Sequence, residues 1–209
     1  AIYALAEYHL ATADASGLAA ARRVYELLER HAHDDANGGY LEACAADWSP
    51  TQELRLSDGD MLAAKSMNTH LHVLEAYTTL YRAWPDAGVA ARLRELIGLC
   101  GERIVDRRAG HLRPFFDERW NPLAEGYTYG HDIEASWLLT EAAAALGDEQ
   151  LEAEVSGRAM AIARAVLAEG VDRDGALAYE GRDGTVVDGR RDWWCQAEAA
   201  VGFQNAYQA

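Results

Sequence analysis

The sequence predicts an all-α protein built from repeated helical hairpins, and three observations lead there. Apolar residues recur at helical spacing through segments rich in Ala, Leu and Glu. Only four prolines occur in 209 residues, so little interrupts those segments. The same order of elements also returns three times, which marks stacked supersecondary units that bury a core together.

The spacing predicts about seven helices, near 1–12, 17–33, 58–83, 87–107, 131–146, 148–169 and 191–209. "NGGY", "WPDAG" and "GALAYEGRDG" punctuate them with Gly and Pro. "LAEYHLATADASGLAAARRVYELLERHAHDDANGGYLEA" reads as helix, short turn, helix, then a Gly-containing loop with alternating apolar residues. The same plan returns in "VLEAYTTLYRAWPDAGVAARLRELIGLCGERIVDRRAGHLRPFFD" and in "LLTEAAAALGDEQLEAEVSGRAMAIARAVLAEGVDRDGALAYE". Matched glutamates Glu7, Glu75 and Glu141 stand 68 and 66 residues apart, and matched glycines Gly39, Gly110 and Gly175 stand 71 and 65 apart. A fourth unit begins at "WWCQAEAAVGFQNAY". Such a repeat builds either an open superhelix or a closed α/α toroid. The unusual polar residues cluster at the starts of the first helices, which favours a pocket at one end of an inner ring.

Composition narrows the partners. A net charge of -15 and a pI near 4.8 describe an acidic surface with no basic stripe. That argues against nucleic acid and against an anionic membrane surface. Three widely spaced cysteines, Cys44, Cys100 and Cys195, form neither a CxxC pair nor a disulfide framework, which makes a reducing cytoplasm the expectation. No apolar run is long enough for a membrane span. The chain begins "AIYALAEYHLA" and ends "QAEAAVGFQNAYQA", both inside helical patterns, so both ends read as interior to a longer protein.

Three clusters carry candidate chemistry. In "KSMNTHLHVLEAY", residues 65–77, Asn68 and His72 are four apart and share a helix face, whereas His70 lies about 200° around from His72. Asn68 and His72 thus form one unit, and His70 is expected to be a structural histidine bonded to the backbone. In "EGYTYGHDIEASWLL", residues 125–139, His131 and Glu134 are three apart and share a face. A carboxylate beside an imidazole fixes its tautomer and raises its basicity, as a general base requires; the plainer reading is a helix N-terminus with an exposed ion pair. Asp132 falls in the first turn, where negative charge suits the helix dipole. In "RRDWWCQAEAA", residues 190–200, Trp193 and Trp194 diverge by about 100°, so one can pack inward while the other faces a cavity and stacks on a sugar ring. His70, His72, His131 and Glu134 would supply enough ligands for zinc, but His70 and His72 diverge on a helix. Carboxylate-pair glycoside hydrolysis and a helical-repeat binding protein remain alternatives on the same architecture.

Together these clusters resemble the N-acylglucosamine 2-epimerase superfamily, and within it the cellobiose 2-epimerase branch. The matching text is "GGYLEACAADW", "KSMNTHLHVLEAYTTLYRAWPD", "FFDERW", "YGHDIEASWLL" and "WWCQAEAAVGFQNAYQ". The resemblance implies an (α/α)6 barrel, here a single partial catalytic domain over residues 1–209 truncated at both ends. It implies a carbohydrate substrate epimerised at C2 through a cis-enediolate, with no metal or organic cofactor. Carried over by position, His131 is the catalytic histidine and Glu134 assists it. His72 helps ring opening and holds substrate oxygens beside Asn68, while Trp194 stacks on the sugar. An aldose–ketose isomerase shares the same intermediate. The family pattern also has an early arginine and a second catalytic histidine without counterparts in residues 1–209, so the resemblance implies an internal fragment lacking one acid/base group.

Overall fold

The structure, a computed structural model, describes residues 1–51, 53–55 and 61–209. Among these, seven α-helices carry the chain: α1 (Ile2–Thr12), α2 (Ala15–His31), α3 (Met67–Ala83), α4 (Ala87–Leu99), α5 (Tyr129–Leu146), α6 (Glu149–Glu169) and α7 (Trp193–Gln208). The strands are short: β1 (Lys65–Ser66), β2 (Val105–Asp106), β3 (His111–Leu112), β4 (Phe115–Phe116), β5 (Tyr127–Thr128), β6 (Glu180–Arg182) and β7 (Thr185–Asp188).

Two predicted helices are shorter than their periodicity suggests. The one expected over 58–83 begins at Met67, and positions 58–60 lie outside the described residues. Its start is fixed by Ser66, whose Oγ accepts the Thr69 N–H at 3.0 Å. Just before it, β1 pairs antiparallel with β4, Lys65 opposite Phe116. The helix expected over 87–107 ends at Leu99 and passes through a π-helical turn, Cys100–Ile104, into β2. There the Arg107 Nε–H satisfies the Gly101 carbonyl at 3.1 Å, and pairing with β3 claims Val105 and Asp106. The remaining boundaries shift by one or two residues, as helix ends do.

The chain forms two compact units. One comprises Ala1–Leu99 and Phe115–Leu123. In it α1 packs on α2 and α3, and α3 on α4, around buried Ile2, Ala21, Leu71, Leu74, Tyr77, Leu80, Leu93 and Leu96. Each such Leu or Ile contributes roughly 1.5–3 kcal/mol through burial. Its polar anchor is Lys65, fully buried, with Nζ 2.7 Å from Asp34 Oδ2, 2.8 Å from the Gly38 carbonyl and 2.9 Å from the Glu118 carbonyl. All three ammonium protons thus have acceptors, and Nζ lies 4.9 Å from the Trp120 ring. Burial opposes ionisation of Asp34, but Lys65 and the Asn37 and Ala36 donors overcome it and hold its pKa at about 2. Glu29 joins the helices of this unit, accepting from the Tyr40 and Tyr77 hydroxyls and from Arg92 Nε.

The other unit comprises Cys100–Pro114 and Ala124–Ala209. Here α5 packs against both α6 and α7, and β5, β6 and β7 form an antiparallel sheet in that order. Glycines let α5 and α7 approach closely. A Cβ on Gly202 would lie 2.6 Å from Ile133 Cγ1, and one on Gly130 would lie 2.6 Å from Cys195 Sγ.

The repeat is visible as a shared turn. Asp34, Asp106 and Asp172 each accept two backbone N–H groups of the following turn on one carboxylate oxygen. Gly39, Gly110 and Gly175 then take left-handed φ values of 75°, 78° and 82°. After each glycine, a backbone N–H donates to a side chain at the fourth position of a helix further along. Tyr40 N–H reaches His70 Nε2 at 3.0 Å, Leu112 N–H reaches Asp132 Oδ1 at 2.8 Å, and Leu177 N–H reaches Gln196 Oε1 at 2.9 Å. The turn and the helix start are therefore locked together in every repeat.

Surroundings, not φ, distinguish these glycines. A Cβ on Gly175 meets nothing within 4 Å, whereas one on Gly39 would lie 2.5 Å from His70 Nε2 and 2.6 Å from Trp120 Cζ2. Gly175→Ala should cost only about 1 kcal/mol for the left-handed backbone. Gly39→Ala should cost roughly 1–3 kcal/mol more, for overpacking. Urea unfolding of the two variants checks this, and equal losses would contradict it.

Candidate active site

The anchor at the fourth helix position sets which face of each helix is turned away from its hairpin. Positions two and six are four residues apart and share a face, about 200° from position four. In α3 these are Asn68 and His72, in α5 Gly130 and Glu134, and in α7 Trp194 and Glu198. Four of the five predicted site residues occupy these places, and the fifth, His131, is at position three of α5.

In the first unit, His70 is the structural histidine. It is wholly buried, donates from Nδ1 to the Ser66 carbonyl at 2.7 Å and accepts the Tyr40 N–H on Nε2. Burial lowers its pKa to about 4, so it stays neutral and both nitrogens are committed to the backbone. That removes it from any ligand set. His72 projects differently: its side chain is 55 % exposed, with Nδ1 3.4 Å from Glu75 Oε2. Asn68 is half-buried.

In the second unit, His131 lies against Trp194, with ring centroids 4.8 Å apart and planes inclined by 53°. Thr128 Oγ1 stands 2.5 Å from His131 Nδ1. Glu134 is buried one turn further along α5. Trp194 is half-buried and meets Tyr179 edge-on at 6.4 Å, whereas Trp193 is 81 % exposed, so neither tryptophan is a core residue. Arg190 sits over the Tyr179 ring at 4.5 Å. Gln196 is structural, pairing with both backbone groups of Leu177 through Oε1 and Nε2. Glu198 holds the Trp137 indole N–H at 2.8 Å. Its four-residue spacing from Trp194, the same as that of Asn68 and His72, puts it on the Trp194 face of α7.

Asp132 does not serve the helix dipole at the surface. It is fully buried, with Oδ2 2.7 Å from His111 Nδ1, while Glu169 Oε2 lies 3.0 Å from His111 Nε2. The Tyr127 ring stacks on His111 at 3.6 Å and its hydroxyl donates to Glu169. The sequence signal for His111 is its place directly after the repeat glycine, where the first repeat has the buried Tyr40. Among the described residues, no group of three or more His, Cys, Asp and Glu side chains is placed to hold a metal ion, and no helix is long and apolar enough to cross a membrane.

The family model for N-acylglucosamine 2-epimerase (GlcNAc 2-epimerase) matches residues 1–209. The chain belongs to that family. This 2-epimerase family member is 46 % identical over 209 residues to a cellobiose 2-epimerase of Bacteroides fragilis, covering all of this chain and 53 % of the relative. It is 40 % identical over 207 residues to a cellobiose 2-epimerase of Dictyoglomus turgidum, covering 99 % of this chain and 52 % of the relative. The chain thus spans about half the length of the curated relatives it matches. Among solved structures, cellobiose 2-epimerase from Bacillus thermoamylovorans B4167 superposes with a TM-score of 0.92 at 39 % identity, over 99 % of this chain and 53 % of that one. A D-mannose isomerase superposes with a TM-score of 0.80 at 20 % identity, a likeness of fold alone. The chain's fold class is accordingly that of part of an (α/α)6 barrel.

The two carboxylates on His111 give a pH signature. Burial works against its protonation, but Asp132 and Glu169 raise its pKa above 6.5. Stabilisation from the imidazolium is therefore fully present below about pH 6.5 and is lost as pH rises through the raised folded-state value. Relative to His111→Gln, the native chain should lose unfolding free energy over that upper window. Urea titrations at stepped pH measure it, and a pH-independent difference would contradict it.

Proposed function

We propose that this chain is part of a carbohydrate 2-epimerase that inverts C2 of the reducing-end aldose of cellobiose or a related β-1,4 disaccharide, converting glucose to mannose at that end. The observation that carries the proposal is the placement of His131 beside the Trp194 ring, with centroids 4.8 Å apart. An imidazole beside an aromatic wall suits a polyhydroxylated ring whose C–H is to be deprotonated. The names of the cellobiose 2-epimerases to which it is similar support the same substrate class.

In this reading the sugar ring opens with His72 moving a proton at the ring oxygen, and Asn68 holds substrate hydroxyls. His131 takes the C2 proton, and the C2–H electron pair becomes the C1–C2 double bond of a cis-enediolate. Glu134 supports His131, and Trp194 stacks on the sugar. A second acid/base group, outside residues 1–209 by the resemblance, returns a proton to the opposite face and inverts the centre. The same resemblance assigns the residues to a single catalytic domain, inactive without that group. The chemistry uses no metal or organic cofactor, since the carbonyl of the opened aldose already acidifies the C2 proton.

Solvent deuterium should enter C2 of cellobiose, with mannose appearing at the reducing end, when the gene product containing this chain acts in D2O. His131→Ala should lower that exchange by roughly 10²–10⁴-fold, the usual contribution of a positioned acid/base group. Retained exchange would remove His131 from the mechanism, and a ketose in place of the epimer would redirect the reading to an isomerase.

A further inference from the structure

Thr128 is the N-cap residue of α5, with extended φ and ψ of −108° and 124°, yet its side chain makes no capping bond. The equivalent residue of α3 behaves conventionally, Ser66 accepting from the Thr69 N–H. Asp14 and Asp148 cap α2 and α6 in the same way, whereas Asp192 of α7, like Thr128, makes no capping bond. Forgoing such a cap costs about 1 kcal/mol. The Thr128 hydroxyl is instead directed at the His131 ring, 2.5 Å from Nδ1.

The backbone that delivers this hydroxyl is itself held. Thr128 lies opposite Glu180 in the β5–β6 ladder, and the next residue, Tyr129, donates its N–H to the Tyr179 carbonyl at 3.1 Å. A hydroxyl at Nδ1 can accept as well as donate. When it accepts, the Nδ1–H tautomer is fixed and the lone pair is assigned to Nε2. His111 meets the opposite arrangement, with a carboxylate at each ring nitrogen.

We infer that Thr128 is a positioning residue, whose hydroxyl accepts the Nδ1–H of His131 and so presents Nε2 as the base for a substrate C–H. The inference rests on the reaction proposed above for its consequence, but not for its geometry. In the base step Nε2 gains the substrate proton while Nδ1 keeps its own, so the Thr128 contact persists through the imidazolium and returns the same tautomer afterwards.

Two measurements test it, each on Thr128→Val, which keeps the shape and removes the hydroxyl, and on Thr128→Ser, which restores it. Side-chain ¹⁵N spectra of the gene product containing this chain should show His131 as the Nδ1–H tautomer. Thr128→Val should shift it towards the Nε2–H form, and Thr128→Ser should return it. In the gene product containing this chain, Thr128→Val should lower kcat for C2 exchange by on the order of 10–100-fold, as loss of an outer-shell orienting bond does, with KM nearly unchanged. Thr128→Ser should recover most of the rate. A tautomer indifferent to Thr128→Val overturns the inference, and a lowered melting temperature alone would reassign Thr128 to helix capping. If Thr128→Val does not fold, an Nε2–H tautomer in the native or Thr128→Ser chain is equally fatal. Absence of C2 exchange in the native enzyme, with the spectra as expected, would defeat the proposed reaction and leave the Thr128 contact standing.

Discussion

The bond on which the arrangement of site residues depends runs from a hairpin N–H to the fourth side chain of a helix. His70, Asp132 and Gln196 have little chemistry in common, yet each receives that N–H and each is completed by a second bond. His70 donates to its own helix start, Asp132 is paired with His111, and Gln196 returns a bond to the carbonyl of the residue that donated to it. A helix pinned at one side chain can no longer rotate about its axis. The face bearing positions two and six is thereby fixed, and side chains there can be chosen for chemistry instead of packing. Asn68, His72, Glu134, Trp194 and Glu198 all sit at such places.

Polar groups buried for this purpose have to be satisfied, because an unpaired one costs about twice what its bond contributes. The first unit meets that demand at Lys65, which engages the turn of the first hairpin and the loop after β4 at once. Removing one partner of such a buried pair typically costs 3–5 kcal/mol. The second unit meets it through the chain of Asp132, His111, Glu169 and Tyr127.

Much of this was legible in the sequence, for identifiable reasons. The helices declare themselves through apolar periodicity, and the repeat through its glycines, because a left-handed turn tolerates little else. The split between His70 and the pair Asn68–His72 follows from the helical angle alone. What periodicity could not supply was tertiary. The start of α3 depends on strand pairing with Phe115 and Phe116, some fifty residues away. Asp132 looks like a dipole-facing carboxylate until His111 is seen opposite it. Thr128 looks like an ordinary helix cap, and only the tertiary fold turns its hydroxyl to an imidazole.

The hairpin-to-helix bonds join residues separated by 30, 20 and 19 positions. Closing loops of that length carries a modest entropic cost, and the cost grows only slowly with length. Each bond joins the turn of one repeat to the first helix of the next, so a helix can acquire its final rotation as soon as its own stretch of chain has left the ribosome. The orientation of the chemistry-bearing faces is then settled early and locally, and later assembly inherits it.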